Sequence, residues 1–213
     1  ACARAVLAVV SLVLGPLEVL LTMTEEAGMD GAFGLQANWL QADILINTDS
    51  EEEGEIYMGC AGGIDFTSNL PLSREPIPAG FQSFKLTLKG LKGGHSGGEI
   101  HVGLGNANKL LVRFLAGHAE ELDLRLVDFN GGTLRNAIPR EAFATLAVAA
   151  DKVDALKALV NTYQEILKNE LEAKEKNLAL LLDAVTHDKA ALTTQSRDSF
   201  VRLLNATPNG VIR

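Results

Sequence analysis

Apolar residues follow two different rhythms along this chain, and the change between them divides it. Residues 3–13 suit a helix that Gly15-Pro16 stops. Residues 17–23 (LEVLLTM) and 43–47 (DILIN) are short, nearly unbroken apolar runs, the pattern of strands buried on both faces of a parallel sheet. A helix-like stretch at 31–40 lies between them, so the three predict a βαβ unit with a right-handed crossover. Each run ends in acid, Glu25-Glu26 after the first and Asp49 after the second. Both clusters then fall at carboxyl ends of parallel strands, the edge where open α/β sheets form ligand sites.

Pro71, Pro76, Pro78 and Gly80 interrupt the chain, and the rhythm changes after them. Phe84, Leu86 and Leu88 alternate with Lys85, Thr87 and Lys89, which predicts a half-buried antiparallel strand. A glycine-rich loop at 90–98 precedes a helix around 108–121, and Leu122, Leu124 and Leu126 alternate again. A strand follows at 142–149. From Asp151 an amphipathic helix places Val153, Leu156, Val160, Tyr163, Leu167 and Leu171 on one side. The order β-α-β-β-α is that of a ferredoxin-like, split βαβ sandwich. Its closing strand is expected to be missing, because 177–204 reads as further helix. The expected fold class is thus α/β: a partial α/β domain at 1–78, then a partial α+β domain at 79–213.

Composition narrows the function classes. In 213 residues, 47% are hydrophobic and 22% charged, an ordinary globular mixture. The net charge of −8 and the lack of any basic run interleaved with aromatics argue against a nucleic-acid partner. Cys2 and Cys60 lie far apart and match no metal or redox spacing, which suits a reducing, cytoplasmic compartment. The apolar run at 1–14 is too short to span a bilayer and is expected to be a buried helix rather than a signal sequence. No membrane partner is expected.

Three features could carry chemistry. Successive side chains on an extended strand end point to opposite sides, so Glu25 and Glu26 can serve different roles, one on a metal and one on a water. Asp49 on the next strand end strengthens that reading over a merely solvated acidic loop. In Gly93-Gly94-His95-Ser96-Gly97-Gly98 the glycines put an imidazole at a loop tip; an incidental His on a turn is the competing reading. The letters also match G-x-S-x-G, but an elbow needs a buried parallel strand before it, and here the strand alternates with lysines. Finally, Arg135 and Asn136 in Gly131-Gly132-Thr133-Leu134-Arg135-Asn136-Ala137-Ile138-Pro139 could present donors to an oxyanion, or lie in an ordinary hairpin connection.

TMTEEAG, INTDSEEEGE, LKGGHSGG and GGTLRNAIP occur in that order, and together they resemble the dinuclear-zinc metallopeptidases. The resemblance runs from about Gly15 to Arg213. It implies hydrolysis of dipeptides, Xaa-His and related ones, by a zinc-activated water, with two zinc ions per complete site and manganese or cobalt as substitutes. Glu25 would be the general base, Glu26 would ligate one zinc and Asp49 the other. His95, on a lid domain, would stabilise the oxyanion and reach into the partner subunit's site, with Asn136 assisting. The lid would also carry a homodimer interface. The family's His-x-Asp motif, its bridging Asp and a later His have no counterpart here, so the resemblance implies an internal piece of a longer dipeptidase. The alternative expectation is a non-catalytic piece that only self-associates. A small-molecule or metal-sensing domain is a third reading without a motif of its own.

Overall fold

The computed structural model of the chain describes residues 15–25, 28–49 and 54–212. The chain divides into two compact units, Ala1–Gly63 and Ile64–Arg213.

In the first unit the regular element among the described residues is α1 (Asp30–Phe33), a single turn entered through Met29 in the left-handed region. The βαβ unit expected here is not formed: neither 17–23 nor 43–47 has a strand partner among the described residues. One carboxylate links the neighbourhoods of the two runs, the Glu18 side chain accepting the N–H groups of Gln41 (2.7 Å) and Ala42 (2.8 Å). The apolar side chains that predicted burial lie open, Leu21 at 85% and Ile44 at 80% exposure. The reason is physical. A parallel strand needs a ladder on each side and cover on both faces, and the described residues of this unit supply neither. The residues 3–13 expected as helix, and Glu26, lie outside the described residues.

The second unit follows the alternating pattern closely. Its strands are β1 (Arg74–Glu75), β2 (Phe81–Lys89), β3 (Gly94–His95), β4 (Arg125–Gly131), β5 (Ala137–Ile138), β6 (Ala142–Ala149), β7 (Ala179–Ala184) and β8 (Ala191–Leu192). Its helices are α2 (Ala107–His118), α3 (Val153–Leu171) and α4 (Thr194–Ala206). Four strands form one antiparallel sheet in the order β4-β6-β2-β7. With α2 and α3 as the crossovers, the order β2-α2-β4-β6-α3-β7 is the complete β-α-β-β-α-β sandwich. The expectation of a missing closing strand is therefore corrected: β7 pairs with β2, Leu180 opposite Leu88 and Leu182 opposite Leu86. Only the end of the stretch read as helix, from Thr194, is helical.

Phe84, Leu86 and Leu88 of β2 are buried with Leu111, Phe114 and Leu115 of α2 and Leu156, Val160 and Leu167 of α3. The capping follows from sequence: Asn106 accepts the Lys109 N–H to open α2, and Thr193 accepts the Ser196 N–H to open α4. Tyr163 ties α3 to α2, its hydroxyl donating to the Leu110 carbonyl (2.7 Å) and accepting from Arg113 Nε (2.8 Å). Burial, the largest effect, pushes its phenol above the ordinary range against the pull of Arg113, so it stays a donor at neutral pH.

The end of β2 meets the segment before β7 too closely for any side chain. Gly90 has φ +82°, and a Cβ there would lie 2.0 Å from the Asn177 carbonyl oxygen. Gly90→Ala is expected to destabilise the chain by more than about 1 kcal/mol, read as a lower urea midpoint.

Candidate functional site

The glycine loop and the Arg135-Asn136 loop, about forty residues apart in the chain, are stitched together. Strands β3 and β5 pair antiparallel, with Gly94 opposite Ile138 and His95 opposite Ala137. The Ser96 N–H then donates to the Asn136 carbonyl at 2.8 Å. His95 and Asn136, singled out separately in the sequence, thus lie side by side. Ser96 follows a two-residue antiparallel ribbon rather than a parallel strand, so it is not set on a nucleophile elbow.

The His95 ring is held by its own loop. Its Nδ1 accepts the N–H groups of Gly97 (3.1 Å) and Gly98 (3.0 Å). The His95 main-chain N–H donates to Glu99 Oε2 (2.8 Å), and the Glu99 N–H returns to the His95 carbonyl (2.9 Å). Deeper in the fold, Glu175 is a buried carboxylate, 3% exposed, that accepts the N–H groups of Lys92 and Gly105, each at 2.8 Å. These two residues bracket the 93–104 segment that carries His95, so one side chain from the turn after α3 holds both ends of that segment. Lys174 adds a hydrogen bond to the Val102 carbonyl. Sequence reasoning missed Glu175 because it sits in Glu172-Ala173-Lys174-Glu175-Lys176, which reads as a solvated charge run.

Beside the ribbon is a cleft of about 440 Å³ lined by Ser96, Asn108, Thr133, Arg135, Pro139 and Asn209 among others. Amide, hydroxyl and guanidinium donors line it, a suitable set for an anionic or carbonyl oxygen. Arg135 is exposed and reaches Asp65 Oδ2 (3.5 Å) and Thr67 Oγ1 (3.4 Å). The Asn108 amide donates to the Gly131 carbonyl at 3.3 Å.

Glu25 and Asp49 belong to the first unit and are exposed; Glu25 follows Thr24, whose φ is +58°. The Asp49 N–H donates to Asn47 Oδ1 at 2.9 Å. Among the described residues no three His, Cys, Asp or Glu side chains converge as a metal site. Exposed carboxylates without a His or Cys do not by themselves complete a zinc site, which takes a near-tetrahedral set that usually includes nitrogen or sulfur, and the acids of this unit could supply only its oxygen ligands. No helix among the described residues is long and apolar enough to cross a membrane.

Within the second unit, residues 86–175 match the family model of the peptidase dimerisation domain. Over all 213 residues the chain is 87% identical to the cytosol non-specific dipeptidase of Escherichia coli (strain K12), and it spans 44% of that protein. The crystal structure of aminoacylhistidine dipeptidase from Vibrio alginolyticus superimposes on 99% of the chain with a TM-score of 0.76 and 56% identity, over 43% of that structure's length. The chain thus spans less than half the length of these relatives.

Proposed function

We propose that the chain is the lid and part of the catalytic face of a cytoplasmic metallo-dipeptidase that hydrolyses dipeptides, Xaa-His and related ones. The observation that carries the reading is the 87% identity, over the whole chain, to a dipeptidase. Glu25 is the general base that takes a proton from the attacking water. Glu26 and Asp49 are ligands of a metal centre, zinc with manganese or cobalt as substitutes, whose remaining ligands are not among the described residues. His95 and Asn136 face the carbonyl oxygen as it becomes an oxyanion. The proximity of their loops supports that pairing, since it lets the two side chains be brought to one oxygen. The dimerisation domain supports a homodimer built through the second unit.

The test is a chimera in which these 213 residues replace the matching segment of the Escherichia coli dipeptidase. Hydrolysis of Xaa-His dipeptides, lost on chelation and regained with zinc, is the expected result; a folded, zinc-loaded chimera without hydrolysis sinks the reading. The 213-residue chain alone, dialysed against micromolar zinc, is expected to retain fewer than two tightly held ions. Two per chain would mean that it completes the centre by itself.

A further inference from the structure

We infer that the Gly97 and Gly98 amides lock His95 into the tautomer that carries its proton on Nε2, leaving the ring a hydrogen-bond donor toward an anionic oxygen. This deepens the role proposed for His95 above and rests on it for its function, but not for its geometry. A ring nitrogen that accepts an N–H must offer its lone pair, so it cannot carry a proton of its own. Nδ1 accepts two, from Gly97 at 3.1 Å and Gly98 at 3.0 Å. In the neutral ring the proton then sits on Nε2.

The loop is built so that this contact persists. Glu99 holds the main chain of His95 from both sides, Oε2 accepting its N–H and the Glu99 N–H donating to its carbonyl. At residue 97 a Cβ would come within 3.2 Å of His95 Cε1 and Nδ1, so glycine is what lets the ring settle on the amides. At residue 98 a Cβ would meet Nδ1 at 3.8 Å, an ordinary contact, so there the N–H rather than the missing side chain matters. Gly97, Gly98 and Glu99 are accordingly positioning residues for His95. A hydroxyl or amine acting as a donor has no lone pair to find on Nδ1, whereas an oxyanion finds a donor on Nε2.

The two glycines allow a clean experiment on the 213-residue chain. Ring 15N resonances are recorded at alkaline pH, where imidazole is neutral, and His95 is assigned by its loss in His95→Gln. Wild type is expected to show Nε2 protonated and Nδ1 bare, without averaging between tautomers. Gly98→Ala keeps the N–H and is expected to keep that pattern. Gly98→Pro removes one of the two N–H donors and is expected to move both resonances part of the way toward averaged values, the Gly97 N–H remaining. A wild-type His95 that is averaged or protonated on Nδ1 overturns the inference, and a folded Gly98→Pro that matches Gly98→Ala overturns the part assigned to Gly98, leaving the Gly97 N–H as the sole donor. If Gly98→Pro does not fold, the wild-type spectrum decides alone. The catalytic reading is judged separately: full turnover of the chimeric dipeptidase with His95→Gln removes the oxyanion role while the tautomer stands.

Discussion

Glu25→Ala in the chimeric dipeptidase is expected to lower kcat by about 10²–10⁴-fold, the usual contribution of a positioned general base, with KM changed little. The argument is one of timing. A carboxylate that takes the proton of the attacking water acts as the new carbon–oxygen bond forms, so its removal is felt in the transition state more than in substrate binding. Glu25→Asp, one methylene shorter, is expected to recover part of the loss, because the carboxylate remains but its reach does not. Initial rates on an Xaa-His dipeptide at saturating zinc are the measurement. Wild-type turnover in Glu25→Ala would return Glu25 to the solvated acidic surface that competes with the catalytic reading of its sequence.

Arg197→Ala is expected to cost the second unit about 3 kcal/mol, because it strips several buried acceptors at once. Arg197 lies on α4 and is only 3% exposed. Its guanidinium donates to the carbonyls of Ala119 (3.2 Å) and Leu124 (2.7 Å), in the segment between α2 and β4, and pairs with Asp198 at 2.7 Å. Removing it leaves two carbonyls without this donor and loosens α4 from the sheet's end. Arg197→Lys is not expected to restore them, since a single ammonium cannot reproduce the planar fork. Urea unfolding followed by circular dichroism gives the answer, with a midpoint lower by about 1 M or more for an ordinary m-value. A shift within error would mean that water replaces the guanidinium at those carbonyls.

What could be read from the sequence differs between the two units for a physical reason. In the second unit each element carries its own evidence. Leu86 and Leu88 alternate with Thr87 and Lys89 in β2, and Leu156, Val160, Tyr163 and Leu167 recur at helical spacing in α3. The closing strand was misread because Leu180, Leu181 and Leu182 are contiguous, and a short apolar run fits a buried helix as well as a strand. The open side of β2 settled it. In the first unit, Leu21, Ile44, Leu45 and Ile46 have the sequence of buried strands but remain exposed. A hydrophobic pattern states a demand for cover; it does not say who supplies it.

The candidate site was legible as residues but not as an arrangement. His95 and Asn136 stood out for their glycine-rich surroundings, yet the ribbon that joins them is two residues long on each side and has no periodicity to detect. Glu99 left no signal beyond its charge. The pairing of Glu25, Glu26 and Asp49 remains a proposal that their sequence context motivates.

The staple formed by Glu175 also has a consequence for the order in which this domain can assemble. Residues 92 and 105 wait for a partner 83 and 70 positions further along the chain. Strand β2, the first of its sheet to be synthesised, has both its neighbours, β6 and β7, at the later end. Long separations of this kind must be closed against chain entropy before they are rewarded. A nascent chain that has emerged only as far as the glycine loop therefore holds the His95 motif without the means to shape it. The segment that carries His95 reaches its final form only once the turn after α3 has been made and holds Lys92 and Gly105.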